Sequence, residues 1–465
     1  MANLDLGINS LLRGLEAQQA GMDVVSHNIA NASTPGYSRQ SVDLQASDPL
    51  TYATVVSAGA GQMGTGVTVA AIQRSHDDLI QQQMAYQNQS QAQQQMLSDT
   101  LGQVIQVYNE PTNQGFSNTL SAFFTAWQQL SGNPADGPTR AVVAERGTAL
   151  ADSFNTAAAS LQTIQQNLDT HVRQYVSQIN GITQRIAGLN QQITSVVASG
   201  QQANDLADQR DTLLNQLSQL ADIQYTITPE GAANVALVGA GSLVQGNSSF
   251  NLATIPDATQ PQFVNVVFDG QKAPLSLQGG QLGGALTARD VTMADQLSAL
   301  NSLAKDVVDA VNHFQSTGYG SNGATGISFF TGSTAATMAV DPRISADLAN
   351  IAASAAPNSP GDGSQALLIA QLQENPAPGS TLTLQAQYQD IIGQLGVDAQ
   401  QAQSNVQTGE LVLQNLSAQQ SSVSSVSLNE EASNLMQYQR AYEAAAHAIT
   451  IMNQTIGDMI QQLGG

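Results

Sequence analysis

The sequence predicts a mainly α, elongated, multi-domain coiled-coil protein: paired N- and C-terminal helices, a long helical bundle and a small β-rich inserted domain. Three observations carry this. Leu428, Leu435, Tyr442, Ile449, Ile456 and Leu463 recur every seventh residue, and Glu431, Tyr438, Ala445, Met452 and Met459 follow three residues on. That is a heptad seam over about five heptads, polar only at Glu431. At the other end Leu4, Ile8, Leu11, Leu15, Met22, Val25 and Ile29 repeat with the same spacing, interrupted at Gln18. In the middle, Phe154, Leu161, Leu168, Tyr175, Ile182, Leu189 and Val196 form a third seam with Ala158, Val172, Ile179, Ile186 and Ile193, and Gln165 as the exception.

Taken in order, the first helix should end near Ala30-Asn31. Thr34-Pro35-Gly36-Tyr37 then reads as a turn with glycine at the positive-φ position. Residues 41–72 look strand-like, with Tyr-Ala-Thr-Val-Val at 52–56 as one strand. Helices are expected at 77–108, 116–130, 139–199 and 204–220, the third about 90 Å long. Phe116, Phe123, Phe124 and Trp127 read as core. Short strands at Ile223, Asn234, Ser242 and Phe263 suggest the β-rich insertion. Helix should return at 284–315, 367–372 and 386–416, with loop between 318 and 363. The terminal helix starts at Ser427, where Glu430 completes a capping box and Glu430-Glu431 favour the helix dipole. The expected domains are 1–31 with 432–465; 32–221 with 283–431, including a β-hairpin segment at 41–72; and 222–282.

A two-helix seam leaves apolar edges partly covered. The termini therefore either close one domain within a chain or pack between molecules, and periodicity alone allows both.

Composition narrows the function. Lys and Arg total 13 against 35 Asp and Glu, a net charge of −22. No basic cluster exists to neutralise phosphates, so neither nucleic acid nor an anionic membrane surface is an expected partner. Without cysteine there are no disulfides, thiolate metal sites or cysteine nucleophiles. The start lacks the features of a secretory signal peptide, and no run is apolar enough to span a bilayer. Gly59-Ala-Gly61-Gln-Met-Gly64 matches a dinucleotide-binding pattern by letters, but a strand-like stretch follows it, so a glycine-rich hairpin is expected. His27, His76, His171, His313 and His447 have no metal-ligand spacing. No catalytic, cofactor or metal residues are expected, and the chain does not read as an enzyme.

Two motifs carry a resemblance. Ser26-His-Asn28-Ile29-Ala-Asn31-Ala-Ser-Thr-Pro35-Gly36-Tyr37-Ser-Arg-Gln40 resembles the motif ending the N-terminal helix of bacterial flagellar axial proteins, and Asn434-Leu-Met-Gln-Tyr-Gln439-Arg440-Ala441-Tyr442 resembles their C-terminal one. Within these, Asp205-Leu-Ala-Asp-Gln-Arg-Asp211, Gly279 to Asp290, Phe329-Phe330 and Ser422 to Glu431 are similar to the hook-associated protein 1 family over nearly the whole chain. Two departures stand out. Phe330 leads quickly to Asp341-Pro-Arg, without the β domain that many relatives insert there. Gln419-Gln420 and Ser425 replace the family's arginine and glycine. The resemblance implies a structural protein of the flagellar hook–filament junction, exported by the flagellar type III route. Its implied partners are further copies in a helical ring, hook protein, the second junction protein (hook-associated protein 3) and an export chaperone. The alternatives are another rod or hook axial protein, a secreted coiled-coil adhesin, and an exported peptidoglycan hydrolase, whose catalytic domain is not visible.

Overall fold

A computed structural model describes residues 2–52, 61–108 and 115–463. Helix α1 (Ala2–Asn31) ends where expected. The next turn closes with the Tyr37 amide donating to Thr34 O at 3.2 Å and Gly36 at φ 80°. Strand β1 (Gln40–Ala46) pairs antiparallel with β4 (Val67–Arg74), and β2 (Leu50–Tyr52) with β3 (Gly61–Met63). Most of the expected strand at 52–56 lies outside the described residues. Gly61–Met63 is strand, not the lead into a helix, as a glycine-rich hairpin requires.

Helices α2 (Asp78–Tyr108), α3 (Phe116–Gly132), α4 (Gly137–Ala198) and α5 (Asn204–Leu220) follow within a residue or two of their predicted bounds. Asp136 caps α4 by accepting from the Thr139 amide at 2.9 Å, with Pro138 in the first turn. At about 1.5 Å per residue, α4 spans roughly 90 Å. Its seam faces inward along most of its length, from Phe154 to Ile193. Gln165 is buried as well, its amide donating to Arg289 O at 2.9 Å.

Next come β5 (Ile223–Ile227), β6 (Ala233–Leu237), β7 (Gly241–Gln245) and β8 (Ser248–Ser249), a four-stranded sheet in that order, and the β9 (Leu252–Pro256)–β10 (Val264–Phe268) pair. Their apolar side chains share one core with α4. Three polar side chains of α4 take the place of strand neighbours. Asn190 donates to Ala233 O and accepts from Ala233 N, both at 2.8 Å. Asn180 does the same with Leu252 at 2.8 Å, and Asp169 accepts from Val264 N at 2.8 Å.

Helix returns at α6 (Gly280–Thr287), four residues earlier than expected. A π-helical turn at Ala288–Thr292 then leads into α7 (Met293–Thr317). This turn places Arg289, 2% exposed, where Nη1 donates to Asp169 at 2.6 Å and to Val264 O at 2.8 Å. After β11 (Phe330–Thr331), β12 (Ala339–Val340), α8 (Pro342–Ala346) and α9 (Ser364–Ala370) comes α10 (Leu384–Ser424), which starts two residues earlier and ends eight later than periodicity suggested. Phe116, Phe123, Phe124 and Trp127 are core; Phe116 packs with Phe154 and Tyr388, Phe123 with Phe124, Phe329 and Phe330, and Trp127 with Phe329, at centroid distances of 4.6 to 5.6 Å.

Helix α10 runs antiparallel to α2. At one end the contact is apolar, Leu101, Val104 and Tyr108 against Leu384, Tyr388 and Leu395. Towards the other end it is made by amides, with Asn405 donating to Gln94 at 3.0 Å and Ser98 to Gln403 at 3.1 Å. Helix α11 (Leu428–Leu463) then lies along α1.

Candidate functional site: the terminal helix pair and its polar joint

The α1–α11 contact is set by size. Gly7, Gly21 and Asn28, a whole number of heptads apart on α1, face α11; Gly14 continues their line, with open space beside it. A Cβ at Gly21 would stand 2.6 Å from the Tyr438 ring, and one at Gly7 2.7 Å from the end of Met452. Asn28 meets Glu431 at 3.0 Å, and this register sets Gly14 opposite Ala445. The heptad column Glu431, Tyr438, Ala445, Met452 is thus the inward face of α11. Glycines let the two backbones approach closely.

This moves the seam read from sequence to one side. Val25 is buried and Leu11 half-buried. Ile8, Leu15 and Met22 are half-buried on a flank about 100° from the glycine column, and Ile29, in the same line, is exposed. On α11, Leu435, Tyr442, Ile449, Met452 and Ile456 are half-buried and Met459 is exposed. In an antiparallel pair these flanks of α1 and α11 lie on the same side. The side chains of Leu4 and Leu463 lie outside the described residues.

A polar joint ties the base of this pair to the rod. Asn28 uses all its capacity there. It donates to Gln40 O (2.8 Å) and to Glu431, and accepts from Gln40 N (2.9 Å) and the Tyr37 hydroxyl (2.7 Å). Glu431, 1% exposed, accepts from Arg39 Nε at 2.7 Å. Arg39 also reaches Glu430 at 3.2 Å, and its amide donates to Ser424 O. Helix α5 supplies the third side. Asp205 accepts from Gln40 at 2.7 Å and faces His27 at 3.3 Å; Asp208 accepts from Ser38 N at 2.8 Å and Arg74 at 2.9 Å; Asp211 accepts from Arg74 at 2.6 Å. Burial, with Asp205, Asp208 and Glu431 nearby, pushes the Tyr37 phenol well above its ordinary range, so it stays a neutral donor.

The family-motif residues divide accordingly. Asn28 and Tyr37 build the joint. Asn31 closes α1, donating to His27 O at 3.1 Å and accepting from Thr34 at 3.2 Å. Pro35 and Gly36 form the turn over Thr212, which a Cβ at Gly36 would strike. Gln439 and Arg440 are exposed and Ala441 half-buried along α11, away from the joint. The expected capping box is replaced: Glu430 pairs with Arg39, and Glu431 turns inward as the buried partner of Asn28. Sequence reasoning also missed the glycine column, whose seven-residue spacing was the available signal. Among the described residues no group of His, Cys, Asp or Glu could hold a metal ion, and no helix is long and apolar enough to cross a membrane.

Two termini joined beside a long helical rod are the arrangement expected of a flagellar axial protein. Family models agree at both ends: residues 8–37 match the flagella basal body rod protein, and 417–462 the C-terminal region of the flagellar basal body rod FlgEFG proteins. Residues 101–330 match the helical domain of flagellar hook-associated protein FlgK. Flagellar hook-associated protein 1 of Bacillus subtilis is 30% identical over all of this chain and 99% of its own length. The Salmonella typhimurium protein of that name is 31% identical over 70% of this chain, which spans 59% of it. The flagellar hook junction protein FlgK of Burkholderia pseudomallei shares the fold, with a TM-score of 0.66 and 18% identity over 74% of this chain and all of the other. The chain belongs to the flagellar hook-associated protein 1 family. It is a structural, non-enzymatic component of the extracellular flagellum, at the hook–filament junction. The adhesin, hydrolase and rod-protein readings fall away.

Proposed function

We propose that the α1–α11 pair is the element through which copies of this chain assemble, and that the joint at Asn28 orients it on the rod. One observation carries the reading: no residue between 432 and 462 is buried in the single chain, although this stretch holds Leu435, Tyr442, Ile449, Met452 and Ile456. Apolar surface of this extent and regularity marks an interaction site. The flank formed by Ile8, Leu15 and Met22 with Leu435, Tyr442, Ile449 and Ile456 suits the same helices of a neighbouring copy. Leu11 and Ile29 extend it along α1.

On this reading copies form a helical ring whose terminal pairs line the channel. Hook protein lies on one side and the second junction protein, hook-associated protein 3, on the other. Such a layer adapts two tubes of different mechanics and breaks no bond. Before assembly the exposed stripe of α11 is an aggregation hazard, so an export chaperone is expected there during passage through the type III apparatus.

Amide exchange tests the reading. In the free monomer α1 and α11 should be the least protected helices, and assembly onto hooks should protect them. Protection of both in a proven monomer equal to that of the rod helix α4 would refute it.

A further inference from the structure

We propose that the buried Asn28–Glu431 layer is the register key of the terminal pair: it selects one alignment of α11 on α1 from several that the other layers accept equally. The native layers are Gly7·Met452, Gly21·Tyr438 and Asn28·Glu431, and the same spacing sets Gly14 opposite the small Ala445, where a Cβ would meet open space. Because glycine recurs every seven residues on one side and a side chain every seven on the other, sliding α11 by one heptad yields Gly7·Met459, Gly14·Met452 and Gly21·Ala445. Sliding it the other way yields Gly7·Ala445 and Gly14·Tyr438. Each alternative again sets a side chain against a glycine, so size does not discriminate.

The polar layer does. In the first slip Asn28 would face Tyr438; in the second Glu431 would face Gly21. Either way Glu431 moves about 10 Å from the donors Asn28 and Arg39 that now serve it. A buried carboxylate without donors is strongly disfavoured, and a single polar layer in an apolar seam sets register in the same manner elsewhere. The chain connection does not make the choice. A slip of about 10 Å is within reach of residues 425–427 once the first turn of α11 unwinds.

The chain has no cysteine, so paired substitutions report register directly. Gly14→Cys with Ala445→Cys reports the native alignment under a short thiol cross-linker, and Gly14→Cys with Met452→Cys the slipped one. With the native Asn28–Glu431 layer only the first pair should link. In the Asn28→Leu, Glu431→Leu background the second should rise from background to a yield comparable with the first. The Glu431→Gln chain, which keeps a hydrogen-bonding group, should retain native linking alone. Native linking alone in the leucine background would overturn the proposal. So would loss of both links, which would mean that the layer holds the pair together instead of choosing its alignment. Trp127 fluorescence, from a side chain buried in the rod core, verifies that each variant is folded.

Discussion

Replacing Asn28 by alanine isolates the joint. The truncation removes four hydrogen bonds and leaves the Gln40 N–H and C=O and the Glu431 carboxylate each short of a partner. The half-buried Tyr37 hydroxyl can turn to water, so it adds little. At about 1–3 kcal/mol for each buried group left unsatisfied, partly relieved by Arg39 on Glu431, docking of the pair should weaken by ~3–5 kcal/mol. Each 1.4 kcal/mol is about tenfold, so amide protection in α1 and α11 should fall by a factor of about a hundred or more, or vanish. Trp127, packed against Phe123 and Phe329 in the rod core, should report an unchanged melting transition. Unchanged protection in α1 and α11 would refute the role of Asn28. A fall of several degrees in the Trp127 transition would show that joint and rod unfold together.

Two further predictions concern the rod. Arg289→Met should cost about 3–5 kcal/mol, because Asp169, 5% exposed, loses a buried charged partner; urea unfolding should move its midpoint down, and an unchanged midpoint would dismiss the clamp. The Asp362 carboxyl is held down at about 2 by Ser364 and Ala355 donors. Its contribution is present above the ordinary carboxylate value and is lost as pH falls through about 2. Acid should therefore release the 354–364 loop, and the Ala355 and Ser364 amides should exchange faster below that range in the native chain than in Asp362→Asn corrected for its own baseline.

What was legible in the sequence followed apolar period. Helices α4 and α11 declared themselves through seams that never break for more than one heptad position. The glycine column of α1 was invisible to the same reading, because a search for apolar side chains passes over Gly7, Gly14 and Gly21 and settles on the neighbouring flank. Glu431 was legible only as a charge near a helix start; its true partner is 403 positions away in sequence. The strand-mimicking Asn180 and Asn190 lay hidden for the same reason, as polar residues on a buried face are understood only once the β-strands are in place. The π-helical turn at Ala288–Thr292 adds one residue to a helical repeat, which periodicity over so short a span does not resolve. The last turns of α10 are serine-rich and weak in propensity; tertiary contacts such as that of Arg39 N with Ser424 O hold them.

The terminal pair serves assembly more than folding, and the double substitution Ile449→Asp, Ile456→Asp separates the two roles. Both residues are half-buried in the single chain, where a carboxylate can still reach water. Against a neighbouring copy the same charge would be enclosed, at a cost of several kcal/mol. With secretion of the variant verified first, the monomer melting temperature should stay within a degree or two of the parent, while hooks lack filaments and flagellin is lost to the medium. Normal filaments on these hooks, or a monomer whose melting temperature collapses, would contradict it.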